Sequence, residues 1–113
     1  MSLILPKYSP KDMVHIFMMY NVKPGKMEEY RKHSRQTDQP TVKKAPGIRN
    51  FSVYEIKGAW HGNSPYQIVE DIEVDSWADF EKFAASETGK NLGKMWNEYC
   101  DESSQITVHG DPI

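Results

Sequence analysis

The chain has 113 residues and a mass of 13.1 kDa, enough for a sizeable core and too little for two ordinary domains. Apolar residues make up 38%, and the three Trp, six Tyr and four Phe exclude disorder for most of the chain. With 14 basic against 16 acidic residues the formal charge is −2, which argues against nucleic acid or an anionic membrane as the main partner. No stretch approaches the roughly 18 apolar residues of a spanning helix. Met1-Ser2-Leu3-Ile4-Leu5-Pro6 is too short and too uncharged for a secretory signal, so a soluble cytoplasmic protein is expected. Cys100 is the single cysteine, which leaves no internal disulfide and no cysteine-based metal site.

Residues 1–11 hold Pro6 and Pro10 with little pattern and read as an arm before a single domain over 12–113. Met13 to Val22 is the first strong element. It is too apolar for a strand with one wet face, so both faces should be covered. Lys23-Pro24-Gly25-Lys26 is a turn. A helix follows from Met27, where Met27, Tyr30, Ser34 and Asp38 share a face. Pro40 should interrupt it, and Pro46-Gly47 ends the region. Ile48 to Lys57 is a second strand, and Gly58 to Pro65 a loop carrying Trp60 and His61. Tyr66 to Val74 is a third strand, with Tyr66, Ile68, Glu70, Ile72 and Val74 on one face and Gln67, Val69, Asp71 and Glu73 on the other. Ser76 and Asp79 stand at capping-box-like spacing before a helix striped by Phe80, Phe83 and Ala84. Ser86 caps a further helical segment with Leu92, Met95, Trp96 and Tyr99, and Gln105 to His109 is a short last strand.

The order β-α-β-β-α-β predicts an α+β, ferredoxin-like fold, an antiparallel sheet with its helices on one face. The first strand is apolar on both faces, so a second copy packed sheet on sheet, a homodimer, is the expected cover for the other face.

Several segments carry a resemblance. Tyr30-x-x-His33-x-Arg35-x-x-Asp38-Gln39-Pro40-Thr41-Val42, then Phe51-Ser52-Val53-Tyr54, then Pro65-Tyr66 opening a strand with Glu70, then Ser86-Glu87-Thr88, resemble the RedY/HapK-like proteins of the dimeric α+β barrel superfamily. EthD-like proteins and antibiotic-biosynthesis monooxygenases are relatives. The resemblance spans roughly residues 12–109 and implies a small-molecule site. The namesakes look like accessory proteins of prodigiosin-type pigment pathways that assist condensation of pyrrole precursors. Plant polyketide cyclases of the same superfamily cyclise with a Tyr and a His on the second helical region. The corresponding positions here are Phe83 and Gly89, although the cyclases' strand-one His has a counterpart in His15. The same cyclase mechanism is therefore not expected.

Glu70 is the one carboxylate on an otherwise apolar strand face. Burying an unpaired carboxylate costs several kcal/mol or raises its pKa, which is how a general acid or base is tuned toward neutrality. The alternative is an ion pair with Arg49 or Lys57, or a dimer-seam contact. Asp38 is a candidate partner across a pocket, and alternatively a cap for the segment restarting near Pro40. His15 is a candidate proton carrier or else a core histidine. Tyr30, Tyr54, Trp96 and Phe17 are candidate walls for a flat ligand, or plain core. Trp60 and His61 read as a lid or as a dimer contact. No two histidines stand at helical i, i+4 spacing, so no metal site is expected. No G-x-G-x-x-G, Walker loop or G-x-S-x-G occurs, and no cofactor is expected. Three readings stay open: cofactor-free acid–base chemistry on an aromatic or polyketide-like metabolite, a cofactor-independent monooxygenase, and a non-catalytic ligand-binding protein.

Overall fold

The central strand sets the architecture through its period of two. β1 (Val14–Val22) turns Val14, Ile16, Tyr20 and Val22 into the core and leaves His15, Phe17, Met19 and Asn21 half-buried on the opposite face. The computed structural model describes residues 13–113; the N-terminal arm expected over 1–11 lies outside the described residues. β2 (Ile48–Glu55), β3 (Ile68–Val74) and β4 (Cys100–Gly110) complete one sheet in the order β2-β3-β1-β4, with every neighbour antiparallel. The helices pack on one face of it, which is the ferredoxin-like arrangement expected from the element order.

The first helical region is continuous but not uniform. α1 (Met27–His33) leads into a π-helical turn over Ser34–Asp38 and then α2 (Gln39–Lys43). Pro40 therefore does not interrupt the helix as expected. Proline has no N–H to return to the preceding turn and crowds the carbonyl four residues back. The chain widens just before it, with the Gln39 N–H bonded to the Ser34 carbonyl, five residues back. Such π turns recur at functional sites.

α3 (Trp77–Ala85) starts on Ser76, whose hydroxyl accepts the Asp79 N–H at 3.2 Å. α4 (Glu87–Tyr99) starts on Ser86, which accepts the Gly89 N–H at 3.1 Å and donates to the Phe83 carbonyl at 2.5 Å. The two helices approach so closely there that a Cβ at Gly89 would stand 2.2 Å from the Phe83 carbonyl oxygen.

Two core clusters fill the space under the helices. Ile16, Phe51, Ile72 and Val74 pack with Val42 and Leu92, and Tyr20, Ile68 and Cys100 pack with Tyr30. Strand ends depart from the expectation by two residues or more in three places. β2 stops at Glu55 rather than Lys57. β3 starts at Ile68 rather than Tyr66, whose N–H is taken by the Ser64 hydroxyl at 3.2 Å. β4 starts at Cys100, well before Gln105. Cys100 and Asp101 pair with Val22 and Asn21, and the register then shifts, with the Ser104 hydroxyl accepting the Asn21 N–H at 2.8 Å. This irregular stretch has no alternation to read, which is why pattern alone finds only its regular end. Among the described residues no helix is long and apolar enough to cross a membrane.

Candidate active site

Glu70 lies on the inner face of β3 between Ile68 and Ile72 and is only 5% exposed. The strand pair places it opposite Met18 of β1, one step from Tyr20. The Tyr20 hydroxyl donates to Glu70 Oε2, and the Tyr30 hydroxyl stands 2.6 Å from the Tyr20 oxygen. Tyr20 has one phenolic proton. With that proton directed at Glu70, its oxygen accepts from Tyr30, and the three groups form a relay from α1 to β1 to β3.

Burial, and after it the Asp38 charge, push the Glu70 carboxyl up to about 8, while the Tyr20 hydrogen bond pulls the other way. Burial alone raises Asp38 to about 6. Between those values Glu70 holds its proton and Asp38 has lost its own, so an acid and a base coexist near neutral pH. The same burial, reinforced by Glu70, lifts both tyrosines well above the usual phenol range, so neither releases a proton. Burial, then Glu70 and Asp38, push the neighbouring Cys100 thiol up to about 12, which leaves it un-ionised and a poor nucleophile.

Glu70 and Asp38 both line a cavity of about 310 Å³ between the inner sheet face and the helices. Phe51 and Ile72 form its floor, Phe80, Phe83 and Leu92 its roof, and Trp96 one wall; Asn97, Glu102 and Gln105 add polar groups. The irregular start of β4 brings Glu102 and Gln105 there. Trp96 also packs edge-on against Tyr20, with ring centroids 5.0 Å apart.

The structure thus brings Glu70, Asp38 and Trp96 to one cavity and sets Tyr30 behind Tyr20, outside its lining. It separates the other candidates from that cavity. His15 pairs with Glu73, Phe17 with Asp71, and Tyr54 with Val69, which puts all three on the sheet face opposite Glu70. Tyr54 is 56% exposed there. Strand register corrects the expectation that Tyr54 walls a pocket with Glu70: the two residues stand on opposite faces of the sheet. Trp60 is 96% exposed, and the loop that carries it and His61 contributes nothing to the cavity lining. Arg49, a suggested partner of Glu70, donates instead to Asp75.

Tyr20 is the residue that sequence reasoning missed. Its signal was a hydroxyl at the same parity as Val14, Ile16 and Val22, but a strand apolar on both faces does not reveal which parity faces the helices. On the outer face His15 Nδ1 lies 3.7 Å from Asp71 Oδ1 and 3.9 Å from Glu73 Oε1. These three are the described residues whose donor atoms cluster closely enough to hold a metal ion.

Comparison with solved structures places this fold among proteins of similar size. HapK from Hahella chejuensis shares 17% identity over 88% of this chain and 92% of that one, with a TM-score of 0.73. An ethyl tert-butyl ether d (EthD) family protein from Bacillus halodurans shares 22% over 89% and 99%, with a TM-score of 0.71. A protein from Jannaschia described as dimeric and ferredoxin-like, of unknown function, shares 16% over 88% and 99%, at 0.73. At these identities the likeness is one of fold. No curated protein matches the chain. The family described as REDY-like protein HapK matches residues 14–111, from the first residue of β1 to just past the end of β4. The chain belongs to that family.

Proposed function

We propose that the protein catalyses cofactor-free acid–base chemistry on a planar aromatic or polyketide-like carbonyl compound, as an enzyme or as a condensing accessory of a biosynthetic pathway. One observation carries this reading: two carboxyls with separated proton affinities line one largely apolar cavity. Asp38 takes a proton from the carbon next to the substrate carbonyl. Glu70 gives its proton to the carbonyl oxygen, and the tyrosine relay holds the resulting carboxylate in place. Enolisation of this kind is the common first step of condensation, cyclisation, isomerisation and dehydration. A cavity of about 310 Å³ is at the small end of ligand sites and suits one or two fused rings. The apolar walls favour such a ring and keep water from levelling the two carboxyls.

The reading includes a cytoplasmic homodimer joined through the outer sheet face, where Phe17, Met19, Val69, Ile106 and Val108 stand together by register. Support comes from the exposure of Ile106 and Val108, at 39% and 42%, and from a solved neighbour described as dimeric.

The test uses a chosen probe, since enolisation does not need the natural substrate. Dihydroxyacetophenone in deuterated buffer is followed by NMR for exchange of its methyl protons. The wild-type chain should accelerate exchange without oxygen, and Glu70→Gln should lower that rate by about 10²–10⁴-fold, the scale of a lost acid or base, with the fold retained. Equal rates in both, with Glu70→Gln losing only stability, would leave Glu70 a structural group. Oxygen uptake coupled to loss of the probe would favour the monooxygenase reading instead.

A further inference from the structure

The outer face of the sheet carries polar chemistry that the Glu70 cavity does not use. Asp71 and Glu73 alternate on β3, and His15 reaches them from β1, where it is the register partner of Glu73. β1 and β3 are the two central strands, so the three side chains stand on paired strands and not on loops. Ser52 and Asn50 flank them from β2. The Phe17 ring lies nearly parallel to the imidazole, 6.3 Å away at 15°.

The distances among the donors are informative. His15 Nδ1 is 3.7 Å from Asp71 Oδ1 and 3.9 Å from Glu73 Oε1, and all three ligand atoms lie within 4.8 Å of one another. Separations of this size are too long for hydrogen bonds. Two ligands each about 2.1 Å from a tetrahedral ion stand about 3.4 Å apart, so a small inward adjustment would let all three share one ion. A second observation concerns Asp71 alone. Its Oδ1 is shielded from solvent, yet no hydrogen-bond donor reaches it among the described residues. A buried acceptor left in this state costs about 1–3 kcal/mol, and a bound cation is one of the few things that repays it.

We propose that His15, Asp71 and Glu73 bind one first-row divalent cation of the zinc class on the sheet face turned away from the Glu70 cavity. One imidazole with two carboxylates is a zinc-type donor set, and three protein ligands leave a position for water. Calcium is disfavoured because it takes six to eight oxygens, which three side chains do not supply. Each of the three side chains is about 28–29% exposed on the single chain, and they share the sheet face that the proposed homodimer covers, which places the ion at that contact. Sequence spacing could not show the site, because its ligands come from strands far apart in the chain and meet only through register. The site rests on one chain and is independent of the acid–base reading.

The test is calorimetric titration of the untagged, chelator-treated full chain with zinc chloride. One zinc per chain is expected. His15→Gln and Asp71→Asn should each weaken binding by at least the roughly 10–100-fold seen when even outer-shell partners are lost. His33→Gln, whose imidazole stacks on Tyr99, should leave it unchanged. Should either ligand variant fail to fold, cobalt(II) on the wild-type chain gives the same answer by NMR. Its paramagnetic broadening should centre on residues 14–17 and 70–74. No zinc binding, affinity unchanged in both ligand variants, or broadening centred on His33, His61 or His109 would overturn the proposal.

Discussion

A carboxyl whose pKa rises on folding holds its proton more tightly in the native state than in the unfolded chain. For Glu70 the window runs from the ordinary value of 4.5 up to about 8. Its contribution to stability is complete below the lower value and is lost as pH rises through the upper one. Glu70→Gln has no proton to lose. Its unfolding free energy relative to wild type should therefore climb between pH 5 and 8, with a slope approaching about 1.4 kcal/mol per pH unit. Urea unfolding at a series of pH values reads this directly, and parallel curves for the two proteins would refute the raised pKa. The rate of probe exchange should be bell-shaped, with limbs near 6 and 8, because Asp38 must be ionised and Glu70 protonated. Those limbs belong to the coupled pair and not to either residue alone. Tyr20→Phe removes the hydrogen bond that lowers the Glu70 pKa, so the alkaline limb should move to higher pH. The same change deprives the Tyr30 hydroxyl of its partner and should cost about 1–3 kcal/mol of stability. An alkaline limb that stays in place would show that the relay does not tune Glu70.

At the scale of elements, the α3–α4 contact leaves no room for a side chain at position 89. A histidine at position 89 would need a Cβ where the Phe83 carbonyl oxygen already stands, 2.2 Å away. Backbone cannot yield as a flexible side chain would. Gly89→Ala should therefore destabilise by about 1–3 kcal/mol, the usual range for overpacking, measured as a lowered urea midpoint with an unchanged slope. A variant as stable as wild type would mean that the helices can separate freely there. The π turn is the other element-scale feature. It supplies the last residue before α2, Asp38, to the cavity, and it lies where Pro40 would otherwise clash with a regular helix. Pro40 thus marks the spot at which the helix widens and Asp38 joins the cavity lining.

For the whole molecule, the two sheet faces divide the work. The inner face holds the cavity, and the outer face combines apolar residues with the His15 cluster. Ile106→Glu puts a charge among the apolar residues of that outer face without touching the cavity. Light scattering should give twice 13.1 kDa for the wild-type chain and 13.1 kDa for the variant. A wild-type chain that is monomeric at micromolar concentration would remove the dimer from the proposal.

Sequence alone determined the order of the elements, because hydrophobic period and turn chemistry are local properties. It also determined that Glu70 shares a face with Ile68, Ile72 and Val74, since alternation along one strand needs no partner. Motif order pointed to the family for a similar reason. The meeting of residues from different strands was decided only by tertiary structure. Tyr20 joins Glu70, and His15 joins Asp71 and Glu73, through the antiparallel register of β1 with β3. A shift of one residue would send each of those side chains to the other face. Tyr54 shows the same physics in reverse: its own strand offers an aromatic at a plausible spacing, and the pairing with Val69 turns it away from the cavity. Register is a global quantity, set by which faces the helices and the core can cover together. A strand as apolar as Met13–Val22 on both sides carries no local record of that choice.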